Sequence, residues 1–261
     1  SISIGTKAAV DVTGNASVAN IVKMDAETGG VITATVSEQD TATLKTLTGS
    51  NALTITVATG NEAATDLTAV SSKTTVDVIA NAVTGISGDA ADINAVLASD
   101  SGISLDGDFT VAVNDPASVA SVNGYKAATS GAISASVSDN ASNLTGLNTT
   151  GSDSINVIVS WTNGDAAVSA ADLNTVDGAT STVVNATAVG SISGDASAMT
   201  ALEAAATAGT PTINLAPDFA AEITGNSSVA DINDIAALTS NTVTATAASG
   251  VVATLKTLSG T

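Results

Sequence analysis

The chain has 261 residues, 25 acidic side chains against six basic ones, a formal net charge of −19, and neither histidine nor cysteine. These absences exclude disulfides, thiolate nucleophiles, the usual proton shuttle and the commonest transition-metal ligand, and the charge opposes nucleic acid and anionic membranes. Aromatic residues make up 2% of a chain that is 44% apolar, so the expected core is narrow and built from small aliphatic side chains.

Pairs of apolar residues three apart begin at Val18, Leu44, Leu67, Ile93, Val119, Leu144, Leu173, Met199, Val229 and Leu255, each 23–30 residues after the last. That spacing puts both members on one side of a short helix. Good N-capping residues precede the pairs: Asn15, Asp40, Asn61, Asp89, Asp115, Asn140, Ser169, Asp195 and Asn226. Pro116 follows Asp115 and suits a first helical position. Gly49, Gly178, Gly209 and Gly260 read as helix stops. Between these helices the period falls to two. Ile32, Ala34 and Val36 alternate with threonines, as do Leu53, Ile55 and Val57. Phe109, Val111 and Val113 are spaced likewise, then Ile133, Ala135 and Val137. Val76–Val78 followed by Val83–Ser87 reads as two strands in one unit. Each alternation predicts a strand with one buried face.

A longer period lies above the short one. Thr43–Ser50 (TLKTLTGS) returns as Thr254–Thr261 (TLKTLSGT), 211 residues later, and Gly85–Ala90 (GISGDA) returns as Ser191–Ala196 (SISGDA), 106 residues later. The expected fold is therefore a β/α solenoid of about ten coils of roughly 26 residues. Strands would stack in parallel with the helices as return path. Four coils would make a super-repeat of about 105 residues. In domain terms, residues 1–261 read as one continuous solenoid section, with super-repeats near 16–116 and 117–226 and a partial one over 227–261. The lack of an atypical capping unit at either end implies a section cut from a longer array.

Chemistry-bearing side chains are few. Carboxylates cluster as Asp89 with Asp92, Asp106 with Asp108, and Asp231 with Asp234, with Asp100 nearby. The turn Leu105-Asp106-Gly107-Asp108 is the first candidate for Ca²⁺, which favours several hard oxygen ligands. No cofactor is expected to be required. Thr33, Thr35, Thr54, Thr56, Thr242, Thr244 and Thr246 define outward threonine rows, a face of the kind that meets ice or carbohydrate. Trp161 and Tyr125 read as local packing plugs. The acids repeat with the structural motif and do not converge once, so no enzyme is expected.

The segments Asp89-Ala-Ala-Asp-Ile-Asn-Ala-Val-Leu97, Ala171-Asp-Leu-Asn-Thr-Val-Asp177 and Gly30-Val-Ile-Thr-Ala-Thr-Val36 resemble repeats of giant cell-surface proteins of marine cyanobacteria, among them adhesin, surface-layer and swimming-associated chains. The resemblance implies an extracellular, cell-surface setting and a structural role. It points to a section of a surface filament or adhesin stalk, with neighbouring copies or further repeats as partners and surface polysaccharide as a further one. Neither nucleic acid nor membrane insertion is expected. The alternatives are a carbohydrate- or ice-binding module and a phage tail-fibre shaft.

Overall fold

A computed structural model describes residues 8–249 and Leu258. Lys7, the Leu255 helix motif, Gly260 and all of the Thr254–Thr261 repeat except Leu258 lie outside the described residues. The chain clusters into two compact units, Ser1–Asp115 with Gly124–Ile133 and Pro116–Asn123 with Ser134–Thr261.

In the first unit β1 (Val10–Ala16), β2 (Ile32–Val36) and β3 (Ala52–Thr54) pair in parallel. So do β4 (Gly60–Ala63), β6 (Val83–Gly88) and β8 (Thr110–Ala117). The short strands β5 (Val78–Ile79) and β7 (Ile103–Ser104) pair with each other, and β5 also bridges Thr56 through Ile79. Helices α1 (Val18–Glu27), α2 (Thr41–Leu44), α3 (Ala64–Ser71) and α4 (Ala90–Leu97) punctuate these strands along the chain, and α5 (Val119–Ala128) is divided between the units after Asn123. In the second unit β9 (Ile133–Asp139), β10 (Ser154–Val159), β12 (Val184–Ala186) and β14 (Ile213–Leu215) pair in that order. There β11 (Val168–Ser169), β13 (Ser191–Asp195), β15 (Ala220–Ser227) and β16 (Val243–Ala247) do the same. The intervening helices are α6 (Ala141–Leu144), α7 (Ala170–Gly178), α8 (Ala196–Thr207) and α9 (Val229–Leu238).

The expected solenoid of ten coils is overturned. Among the described residues the strands fall into four separate parallel sheets of three, seven, two and four strands, with nine helices, in an α/β fold. The reason is that most inter-helix segments hold two strands instead of one. Between α3 and α4 a turn closed by Val83 N–H on Ala80 O (3.0 Å) separates β5 from β6. Between α7 and α8 Val189 N–H on Ala186 O (3.1 Å) separates β12 from β13. Each turn re-aims the chain, so the two strands enter different sheets.

Within this architecture the apolar pairs do line the core: Val18 and Ile21, Leu67 and Val70, Ile93 and Val96, Leu173 and Val176, and Met199 and Leu202 are all buried. In β2 and β9 the alternation puts Ile32, Ala34, Val36, Ile133, Ala135 and Val137 inside. Asp40, Asp89, Asn140, Ser169 and Asp195 occupy N-caps. Three expected caps move two residues on, from Asn15 to Ser17, Asn61 to Ala63 and Asn226 to Ser228. In each case the preceding strand runs through the asparagine. Asp115 and Pro116 belong to β8, and Ser118 instead caps α5 by accepting from Ser121 N–H at 3.0 Å. Of the expected glycine stops inside the described residues, Gly49 alone has positive φ (72°), five residues beyond the end of α2. Gly178 lies within α7.

The 211-residue period is visible in three dimensions. Gly14 (φ 91°) and Gly225 (φ 77°) stand 211 residues apart, each where the ladder shifts register, between β1 and β2 and between β15 and β16. A bulge of this kind needs the left-handed backbone that glycine adopts without a steric penalty. Two residues on, the copies diverge: Ala16 is buried, while its counterpart Ser227 buries a hydroxyl with no hydrogen-bond partner among the described residues. An orphaned hydroxyl costs free energy that a methyl does not. Ser227→Ala is expected to stabilise the protein by about 1 kcal/mol in urea titrations, and a loss of stability would show that the hydroxyl has a partner in solution.

Candidate functional site

Much of the chain's polar chemistry is spent on holding successive segments together. Thr28 Oγ1 donates to Ala8 O (2.6 Å), Thr129 Oγ1 to Phe109 O (2.5 Å) and Thr239 Oγ1 to Phe219 O (2.5 Å). Each hydroxyl also accepts the N–H two residues ahead, from Gly30, Gly131 and Asn241 at 3.0–3.1 Å. The three threonines lie at steps of 101 and 110 residues, the length of the long period. Thr74 and Thr180 form a second set 106 residues apart. Thr74 bonds both the N–H (3.0 Å) and the carbonyl (2.7 Å) of Leu53, and Thr180 does the same with Ile155 (3.0 and 2.7 Å). These threonines follow the helices and latch each new strand to the one about 20–25 residues earlier. Their role escaped the sequence reading, which took threonine as an outward strand residue. The usable signal was Thr-x-Gly or Thr-Ser-x after a helix, which marks Thr28, Thr129, Thr180 and Thr239 but misses Thr74, followed by Thr75 and Val76.

Carboxylates serve a parallel purpose. Glu38 Oε2 accepts the first N–H of α1, from Val18 (3.0 Å), although Glu38 follows β2. Asp115 Oδ1 in β8 likewise accepts Ala90 N–H at the start of α4 (2.6 Å), where Asp89 makes no side-chain cap. Glu62 Oε2 accepts from Thr41 Oγ1 at the start of α2 (2.8 Å). Negative charge at a helix N-terminus is favourable. The Val18 N–H, helped by the Ser37 hydroxyl, holds the Glu38 carboxyl below the usual glutamate range against partial desolvation and the charge of Asp40. Thr43, through its hydroxyl and its N–H, holds Asp40 low as well.

The candidate calcium ligands Asp106 and Asp108 sit exposed in the turn between β7 and β8. Asp106 Oδ1 accepts Gly107 N–H at 2.9 Å, and Gly107 O accepts from both the N–H and the hydroxyl of Ser130. Among the described residues no three acidic side chains gather as a metal-binding group. Asp92 lies in the first turn of α4 and Asp231 in that of α9. The threonine rows are mixed in register: Thr33 pairs with Asp11 and Ala52, Thr35 with Asn15 and Thr54, and Thr244 with Glu222.

The two aromatic plugs behave differently. Tyr125 is buried, its hydroxyl donating to Ala90 O at 3.1 Å. Trp161 is half-buried and lines a cleft of about 390 Å³ in the second unit, walled by the start of α6, the loop after β10 and the first turn of α7. Its Nε1 donates to Ala166 O at 3.1 Å. Its ring lies over Gly190, where a Cβ would come within 2.6 Å of Cζ3 and 2.8 Å of Cη2. The indole is therefore fixed both at its nitrogen and through its benzo edge. No family model, no curated protein and no solved structure matches this chain.

Proposed function

We propose that the chain is a non-catalytic structural repeat section of an extracellular surface filament or adhesin stalk, with neighbouring repeats or copies as its partners. The observation that carries this reading is the recurrence of the threonine latch at Thr28, Thr129 and Thr239. The same hydroxyl-to-carbonyl contact is rebuilt once per long period, and it joins successive segments of the chain instead of converging on a reaction centre. Parallel ladders reinforced in this way resist separation of neighbouring strands. An acidic, lysine-poor surface stays soluble in salty, divalent-rich water. In this reading folding does not depend on calcium, and binding at Asp106 and Asp108 is an accessory property.

Immunogold labelling of intact source cells with antibody raised against this chain tests the assignment. Label on material outside the cell envelope is the expected result, and label confined to the cytosol overturns it. Thermal unfolding with and without a chelator tests the metal clause. An unchanged midpoint is expected, whereas a fall of several degrees would place calcium among the folding requirements.

A further inference from the structure

We propose that the Trp161 cleft binds a neutral saccharide, an inference independent of the structural role above. The cleft combines one rigid aromatic wall with several short polar side chains, the usual make-up of a small-molecule site. Trp161 is held by its bond to Ala166 O and by its seat on Gly190, so the indole loses little freedom when a ligand arrives. An indole face with a partly wet edge suits the C–H surface of a pyranose ring.

The polar lining supplies the complementary hydrogen bonds. Asp172, Ser142 and Ser160 line the cleft, and neither the Asp172 carboxylate nor the two serine hydroxyls have a hydrogen-bond partner among the described residues. Asn140 uses its Oδ1 to accept Asn143 N–H (2.9 Å), which leaves its amide NH₂ to donate. Asp165 commits one oxygen to Thr162 N–H (2.7 Å) and keeps the other. Vicinal hydroxyls both donate and accept, so they match a set containing carboxylates, hydroxyls and an amide. Charge then narrows the class. The lining holds Asp165 and Asp172 and no basic residue, which disfavours uronic acids, sulfated sugars and phosphates.

Trp161 is the chain's single tryptophan, so its emission reports on the cleft alone. The test is fluorescence titration with cellotriose, maltotriose and N,N′-diacetylchitobiose, and with trigalacturonate as the anionic comparison. A saturable change with at least one neutral sugar and none with trigalacturonate is expected. Calorimetry with that sugar should show binding weakened about tenfold or more in Asp172→Ala and also weakened in Ser142→Ala; Ser142→Ala keeps the parent's unfolding midpoint, while Asp172→Ala, which also removes a first-turn charge of α7, lowers it slightly. No saturable change with any neutral sugar overturns the proposal. So does preferential binding of trigalacturonate, or unaltered affinity in both variants, which would put the site elsewhere.

Discussion

Replacing Phe109 by alanine is expected to cost about 3–5 kcal/mol of stability, an effect to be matched in the first unit only by truncation of the larger buried Tyr125. The chain has two phenylalanines, Phe109 and Phe219, 110 residues apart and both buried. Elsewhere the buried side chains are mostly Val, Ile, Leu and Ala. A core of short side chains has little reach with which to refill the space a benzyl group leaves, so most of the cavity penalty should persist. The backbone tightens the argument. Phe109 O accepts the Thr129 hydroxyl, and a Cβ on Gly131 would lie 2.6 Å from Phe109 C and 2.8 Å from Asp108 O. The segment is thus clamped from the facing turn and has little room to collapse inward. Phe109→Leu keeps most of the volume and should cost under about 2 kcal/mol. Urea titration of both variants separates the cases. A loss below about 1 kcal/mol for Phe109→Ala would mean that the clamp gives way and the cavity closes.

The elements that sequence reading recovered are those whose signals are local. Leu67 with Val70 and Leu173 with Val176 announce a buried helical stripe by spacing alone, and Ile133, Ala135 and Val137 announce a half-buried strand. The partition into four sheets is not local. It depends on turns such as Ala80–Val83 and Ala186–Val189, whose composition of Ala, Asn, Thr and Val carries no strong turn signature. The misplaced N-caps share that origin: Asn15, Asn61 and Asn226 are good caps by type, but ladder pairing carries the strand past them to the following residues. The Trp161 cleft was invisible for another reason. Asn140, Ser142, Trp161 and Asp172 meet only after strand and helix have brought segments about 20–30 residues apart together. The threonine latches were hidden by abundance, since a buried threonine and an exposed one look alike in a chain so rich in both roles.

Thr180→Val should be the most damaging near-isosteric substitution in the second unit, at about 2–4 kcal/mol. Thr180 is buried, and its single hydroxyl accepts the N–H groups of Ile155 (3.0 Å) and Thr182 (3.1 Å) while donating to Ile155 O (2.7 Å). Valine has nearly the same shape, so no cavity forms and the loss isolates the polar contribution. Two backbone N–H groups are left without the side-chain acceptor they share, whereas Ile155 O still receives the Thr182 hydroxyl. Uncompensated donors, more than a lost acceptor, therefore set the magnitude. Thr180→Ser restores the hydroxyl and removes one methyl, so it should recover most of the loss and stay within about 1 kcal/mol of the parent. Amide exchange at Ile155 and Thr182 gives the local readout: both should exchange faster in Thr180→Val and regain protection in Thr180→Ser. Equal stability of the valine and serine variants would show that the hydroxyl adds nothing to the ladder. The recurrence of threonine at Thr74 and Thr180 would then reflect its shape alone, and the latch would lose its claim to hold successive strands together.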